Sequence, residues 1–299
     1  MRDTEQRHSG NRKNVKSVDN ILSKQTLESL TPGILGPSSP AILEKYYKYK
    51  LGGFMIDPNL SASVAKRFKP FQNEILSSFQ DKIHSITITG SALTDDFDPN
   101  QSDVNSVFVF NKMDLKLLEL MAPLGKKYGK KRIAAPLIMT PEYIMNSLDV
   151  FPIEFLNIKL LHKTVFGEDL FQALEINRLD LRLQCERELK VRLIGLRQAY
   201  ISSAGNIKIL TDMFINTFSG YIPLFRGIII VLGKEPPIRN DDVLTSLEEF
   251  SGVNTGVFKA VLKQKKHKTK LTIKQLNTFF EDYYAAIEKL GDVIDDIKK

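Results

Sequence analysis

Gly90 and Ser91 close a short β-branched run, Ile86 to Thr89, and a carboxylate-rich loop follows that ends at Ser102-Asp103-Val104-Asn105. A second run of strand character, Val107 to Phe110, comes next. Glycine at a strand end lets the backbone approach a ligand closely, and a serine hydroxyl with nearby N–H groups can donate to an anion. A carboxylate at the head of the next strand has an obvious use beside such a cradle: holding a divalent metal against phosphates. Further on, Glu154 stands in an apolar stretch, Phe151 to Leu161, where an acid needs a partner or a metal. Lys159 and Arg132 are the candidate partners.

Gly90-Ser91, a loop, then Asp103-x-Asn105 leading into a hydrophobic strand resembles the signature of the nucleotidyltransferase superfamily, which includes aminoglycoside adenylyltransferases. That pattern is Gly-Ser, a loop and Asp-x-Asp, with a third acid on a later strand of the same sheet. The resemblance implies that Gly90 and Ser91 hold a nucleoside triphosphate and that Asp103 ligates Mg²⁺. It places Asn105 at the second metal position and makes Glu154 the third acid, with Asp103 and Glu154 as the catalytic pair. The implied reaction transfers a nucleoside monophosphate to a hydroxyl on a small molecule or protein.

Asn105 departs from the pattern. An amide oxygen coordinates Mg²⁺ but brings no formal charge, and adjacent dications need anionic ligands. Asp95, Asp96 and Asp98 in the intervening loop offer compensation, or they form an ordinary solvated turn. Two functions follow from this: an Mg–nucleotide-binding transferase, or a pseudoenzyme whose fold serves as a binding or regulatory module.

The elements that must position these residues can be read in order. Residues 1–40 are expected to be a flexible segment and linker, Pro/Gly/Ser-rich from Pro32 to Pro40, and Ala41 to Tyr49 reads as helical. Ser61 or Ser63 caps a helix that carries Val64, Phe68, Phe71, Ile75 and Phe79 at helical spacing. After Phe110 come an amphipathic helix from Lys112 to Tyr128, a strand within Ile133 to Thr140, and a short helix capped by Thr140-Pro141-Glu142. Asp149 to Phe151 reads as a return to strand, and Phe151 to Leu161 as the strand carrying Glu154. Lys163 to Leu170 reads as the exit from this domain.

From Arg178 the pattern is helical to the end, with one helix broken near Pro223. The expected fold is therefore α/β (α+β): a nucleotidyltransferase-like domain with a small mixed sheet over 41–175, then an all-helical domain over 176–299.

The chain has 299 residues, with 42% hydrophobic and 26% charged, ordinary proportions for a globular protein. No apolar run approaches a membrane span, and the charged first residues lack the apolar core of a secretory signal. A single cysteine, Cys185, excludes an intramolecular disulfide and a Cys-rich zinc site. These features point to the cytoplasm. Four histidines without shared spacing argue against a His-metal site, and His162 reads as a satisfied histidine rather than a base.

The net charge of +7 favours an anionic partner. Its basic clusters, the first sixteen residues, Lys126 to Arg132 and Lys263 to Lys270, are spread along the chain without interleaved aromatics. A dedicated nucleic-acid platform is not indicated by that layout, and nucleic acid stands as a third option among partners.

Overall fold

A computed structural model of the chain describes residues 60–267 and 272–297. The expected linker and first helix lie outside the described residues, as does part of the Lys263–Lys270 cluster.

Helix α1, Ala62–Phe79, starts where Ser61 Oγ accepts the Val64 N–H at 3.3 Å. Val64, Phe68, Phe71, Ile75 and Phe79 are all buried, as their spacing predicts. Strands β1 (Ile83–Thr89) and β2 (Asn105–Phe110) pair antiparallel. Helix α2 (Leu115–Gly129) crosses over to β3 (Leu137–Met139), which runs parallel to β2. Thr140 caps the short helix α3, Pro141–Met145. After helix α4 (Pro152–Leu160), strand β4 (His162–Gly167) pairs antiparallel with the other edge of β1. The sheet is mixed, in the order β3-β2-β1-β4.

Side-chain alternation gives the sheet two distinct faces. Ile86, Ile88, Val104, Phe108 and Phe110 pack against α1 and α2. Val107 and Val109 point the other way and meet Phe155 and Ile158 of α4. The opposite side of α4, Ile153 and Leu156, joins the core of the helical half.

That half comprises α5 (Arg178–Ser203), α6 (Ile207–Thr217), α7 (Tyr221–Val231), α8 (Asn240–Ser251), α9 (Gly256–His267) and α10 (Ile273–Asp296). Cys185 is buried in its core, and a Cβ on Gly227 would lie 3.0 Å from the Cys185 sulfur. The cysteine therefore packs where α5 and α7 approach closely. The fold is thus an α/β sheet domain followed by an all-helical region, and both belong to one unit.

Several expectations need correcting. Phe151 to Leu161 is not a strand: Pro152–Leu160 is helical, and the expected strand at Asp149 to Phe151 is a turn. Apolar residues cover two sides of α4 because it is buried between the sheet and the helical core, which erases a clean helical period. The stretch taken as a domain exit contains β4, an edge of the sheet. The break expected near Pro223 falls earlier, at the turn Phe218–Gly220. Pro223 itself sits in the first turn of α7, where a missing N–H costs nothing.

Candidate functional site

β1 and β2 bring the two halves of the sequence motif together. Thr89, the last residue of β1, pairs with Asn105, the first of β2. Gly90 then turns the chain away at φ +75°, a left-handed conformation that suits glycine, and its N–H donates to the Leu161 carbonyl at 2.9 Å. A Cβ placed on Gly90 would meet only Asn105 Nδ2, at 3.8 Å. The space over the turn is open, with the Asn105 amide at its edge. Ser91 is half-buried, and its carbonyl accepts from the Thr94 N–H at 3.0 Å and from the Thr94 hydroxyl at 3.2 Å.

Asp103 and Asn105 are exposed and flank the fully buried Val104, so they share one side of the strand. Asn105, Thr89 and His162 form a row across β2, β1 and β4. His162 is almost covered, and both ring nitrogens face oxygen: Nδ1 the Lys159 carbonyl at 2.9 Å, Nε2 the Asp169 carboxylate at 3.0 Å. It is a satisfied histidine, as its sequence context suggests. Asp169 also accepts from the Phe171 and Gln172 N–H groups, which fixes the turn after β4.

Asp103 does not stand alone. Arg132 Nη1 lies 3.7 Å from its Oδ1 and donates to the Gln101 carbonyl at 3.0 Å. Arg132 has φ +57°, uncommon for a residue with a side chain, in the tight connection between α2 and β3. The sequence offered Arg132 as a partner for Glu154, and the structure gives it to Asp103.

Glu154 lies elsewhere. It occupies the first turn of α4, exposed, and accepts from Gln184 Nε2 at 2.8 Å. Gln184 in turn accepts the buried Ile153 N–H at 2.7 Å. It is the far end of α4, at Leu161, that touches Gly90, which leaves Glu154 about 10 Å up the helix axis. Lys159, the other expected partner, donates to the Leu174 carbonyl instead. Gly90, Ser91, Asp103 and Asn105 are thus brought together, and Glu154 is not.

The strand beside β2 supplies no replacement acid. Val104 bridges Ile133 and Val107 pairs with Leu137, so Ala134 and Ala135 run alongside Asn105. Two of the three loop acids have other work, while Asp95 is exposed. Asp98 is a turn residue, accepting from the Asn100 N–H at 2.8 Å and Gln101 Nε2 at 2.9 Å. Asp96 accepts the Asn240 N–H at 3.0 Å and so caps α8 from a distant part of the chain. Nearby, the buried Arg226 donates to the Pro237 and Ile238 carbonyls and to Asn157 Oδ1. Burial pulls the Arg226 pKa down, and the Asp96 charge works against that.

The donor set around Gly90 does not fit a two-metal centre. It holds one carboxylate, already facing an arginine, and a neutral amide where a second anion is required. Among the described residues no three His, Cys, Asp or Glu side chains are placed to hold a metal ion. What the site does present is an open glycine turn edged by neutral hydrogen-bonding groups. None of the described helices is long and apolar enough to cross a membrane.

No family model and no curated protein matches the chain. Among solved structures it is similar to spectinomycin adenyltransferase AAD(9) from Enterococcus faecialis, crystallised with ATP and spectinomycin. The TM-score is 0.49 and the identity 13%, over 77% of this chain and 98% of that chain.

Proposed function

We propose that this chain is a nucleotidyltransferase-superfamily protein whose fold works as a binding or regulatory module, without two-metal transfer chemistry. The superfamily part rests on the Gly90-Ser91 turn at the end of β1 and the Asp103-x-Asn105 pair at the head of the antiparallel β2. The observation that carries the module reading is the donor set. Asp103 pairs with Arg132, Asn105 is uncharged, Ala134 and Ala135 flank it, and Glu154 is bound to Gln184 at the N-terminal end of α4. At the Asp-x-Asn positions, two adjacent dications bridging a triphosphate would have one negative ligand, which faces Arg132 at 3.7 Å. We divide the chain into a sheet domain to residue 175 and a helical domain from 176, and place it in the cytoplasm on its single cysteine and lack of apolar spans.

Calorimetric titration with ATP, GTP, CTP and UTP, each with Mg²⁺ and with EDTA, tests the reading. Identical isotherms in the two conditions, or no binding of any, support the module. A nucleotide that binds only with Mg²⁺ and loses that binding in Asp103→Ala overturns it and restores the transferase. In that case Asn105→Asp should raise turnover to a hydroxyl acceptor.

A further inference from the structure

Helix α5 buries one side, with Leu181, Cys185, Leu189 and Leu196, in the core of the helical half. Its opposite side is apolar too, and bare. Leu179, Leu183, Val191, Ile194 and Ile201 are between 54% and 77% exposed. Scattered exposed aliphatics need no explanation, but these are aligned. With the exposed Arg187 and Gln198 they recur every three or four residues, so they form one stripe about 33 Å long.

The groups beside the stripe are drawn away from it onto α10. Lys190 bonds Glu186 and lies 3.4 Å from Asp295. Arg197 donates from Nε to the Tyr284 hydroxyl at 2.9 Å and lies over that ring. The Tyr200 ring lies 4.4 Å from that of Phe280. Arg187 stands within the stripe, 3.5 Å from Glu188.

The stripe is its own complement when reversed. About a point midway between Val191 and Ile194, Arg187 mirrors Gln198, and Leu183 mirrors the neighbouring Ile201 and Ser202. A second copy laid antiparallel across a two-fold axis therefore sets Val191 against Ile194 and Leu183 beside Ile201. It also sets Arg187, a donor only, opposite the Gln198 amide, whose oxygen accepts. A parallel copy would set Arg187 against Arg187, a like-charge contact.

We propose that two copies of this chain associate by antiparallel packing of the exposed α5 stripes. Covering five aliphatic side chains on each copy removes about 500 Å² of apolar surface per copy, so the pair reaches about 1,000 Å², the lower bound of a specific interface. An anionic membrane surface would want free cations and aromatics along the border of the stripe, and here both are engaged on α10. The proposal is independent of the module reading, because the seam contains none of Gly90, Ser91, Asp103 or Asn105.

Sedimentation velocity of the full chain over a range of micromolar concentrations tests it, and a reversible monomer–dimer equilibrium is expected. Ile194→Glu places a charge in the middle of the seam and should weaken the dimer at least about thirtyfold. Leu115→Glu, at an equally bare site on α2, should dimerise as wild type. Arg187→Cys with Gln198→Cys reads the orientation. Diamide, which takes up the thiol hydrogens, should link this double variant across the seam into a covalent dimer. Either single variant should stay unlinked, since its two thiols would be about 16 Å apart along the helices. Cys185 does not interfere, because it is buried and burial pushes its thiol pKa far up. A wild type that stays monomeric overturns the proposal, whether it binds phosphatidylserine vesicles or melts higher than Ile194→Glu because its own chain covers the stripe. So does a dimer that tolerates Ile194→Glu, a loss equal in Leu115→Glu, or cross-linking of a single variant but not the double.

Discussion

The Asn105 amide nitrogen lies 3.8 Å from where a methyl on Gly90 would be, just past the end of β1. The strand pairing of Thr89 with Asn105 enforces this, and the left-handed backbone at Gly90 turns the chain off before it covers the row. The uncharged Asn105 amide therefore stands at the edge of an open turn.

Gly90→Ala meets open space, so its cost is the backbone alone, about 1–2 kcal/mol for a side chain in the left-handed region. Gly167 has a similar φ, +76°, but there a Cβ would lie 2.0 Å from the His84 carbonyl oxygen and 2.9 Å from Ser85 Cα. Gly167→Ala must push β4 off β1 and should cost about 3 kcal/mol or more. Urea denaturation of the two variants should rank them clearly. Equal midpoints would contradict the open turn at Gly90.

Glu154 and Gln184 should respond unequally to truncation. Gln184→Ala strands the buried Ile153 N–H and should cost about 1–3 kcal/mol. Glu154→Ala removes only an exposed acceptor and should cost less than about 1 kcal/mol. A double-mutant cycle measured by denaturation separates the shared bond. A Glu154 loss as large as that of Gln184 would assign the carboxylate a role beyond this contact.

The loop between the motif halves is tied to the helical half through Asp96. Asp96→Ala should cost about 1 kcal/mol, the usual worth of a helix cap. Arg226→Met leaves Asn157 Oδ1 and two loop carbonyls without their donor, a loss of about 3 kcal/mol. Calorimetric melting of the two variants tests both figures. If Asp96→Ala melts as wild type, water caps α8 equally well.

How far the sequence disclosed this arrangement depended on how each element is buried. Helix α1 buries one stripe, so its phenylalanines and Ser61 cap were readable, and β1 and β2 announced themselves by β-branched runs. Helix α4 buries Phe155 and Ile158 against the sheet and Ile153 and Leu156 against the helices. With two apolar sides it mimics a buried strand, and only Pro152 at its first position signalled otherwise. That error moved Glu154 onto the sheet and hid β4. The pairing of Arg132 with Asp103 was not readable at all, since a chain reversal in the left-handed region decides it.

Glu74 gives the contact between α1 and α2 a pH signature. Hydrogen bonds from Lys127 and Tyr128 hold its carboxyl below the ordinary value of 4.5. A carboxyl depressed in the folded state binds its proton less readily there than in the unfolded chain. Its contribution is therefore complete above about 4.5 and is lost as the pH falls through the lower folded value. Lys127, raised by the same bond, contributes below its ordinary 10.5 and loses that as the pH rises through its folded value. Glu74→Gln removes both dependences. The stability gap between wild type and Glu74→Gln, followed by urea denaturation, should be constant near neutrality and narrow as the pH falls below about 4.5. A gap that stays constant into acid would mean the Glu74 contact with Lys127 and Tyr128 does not persist in solution.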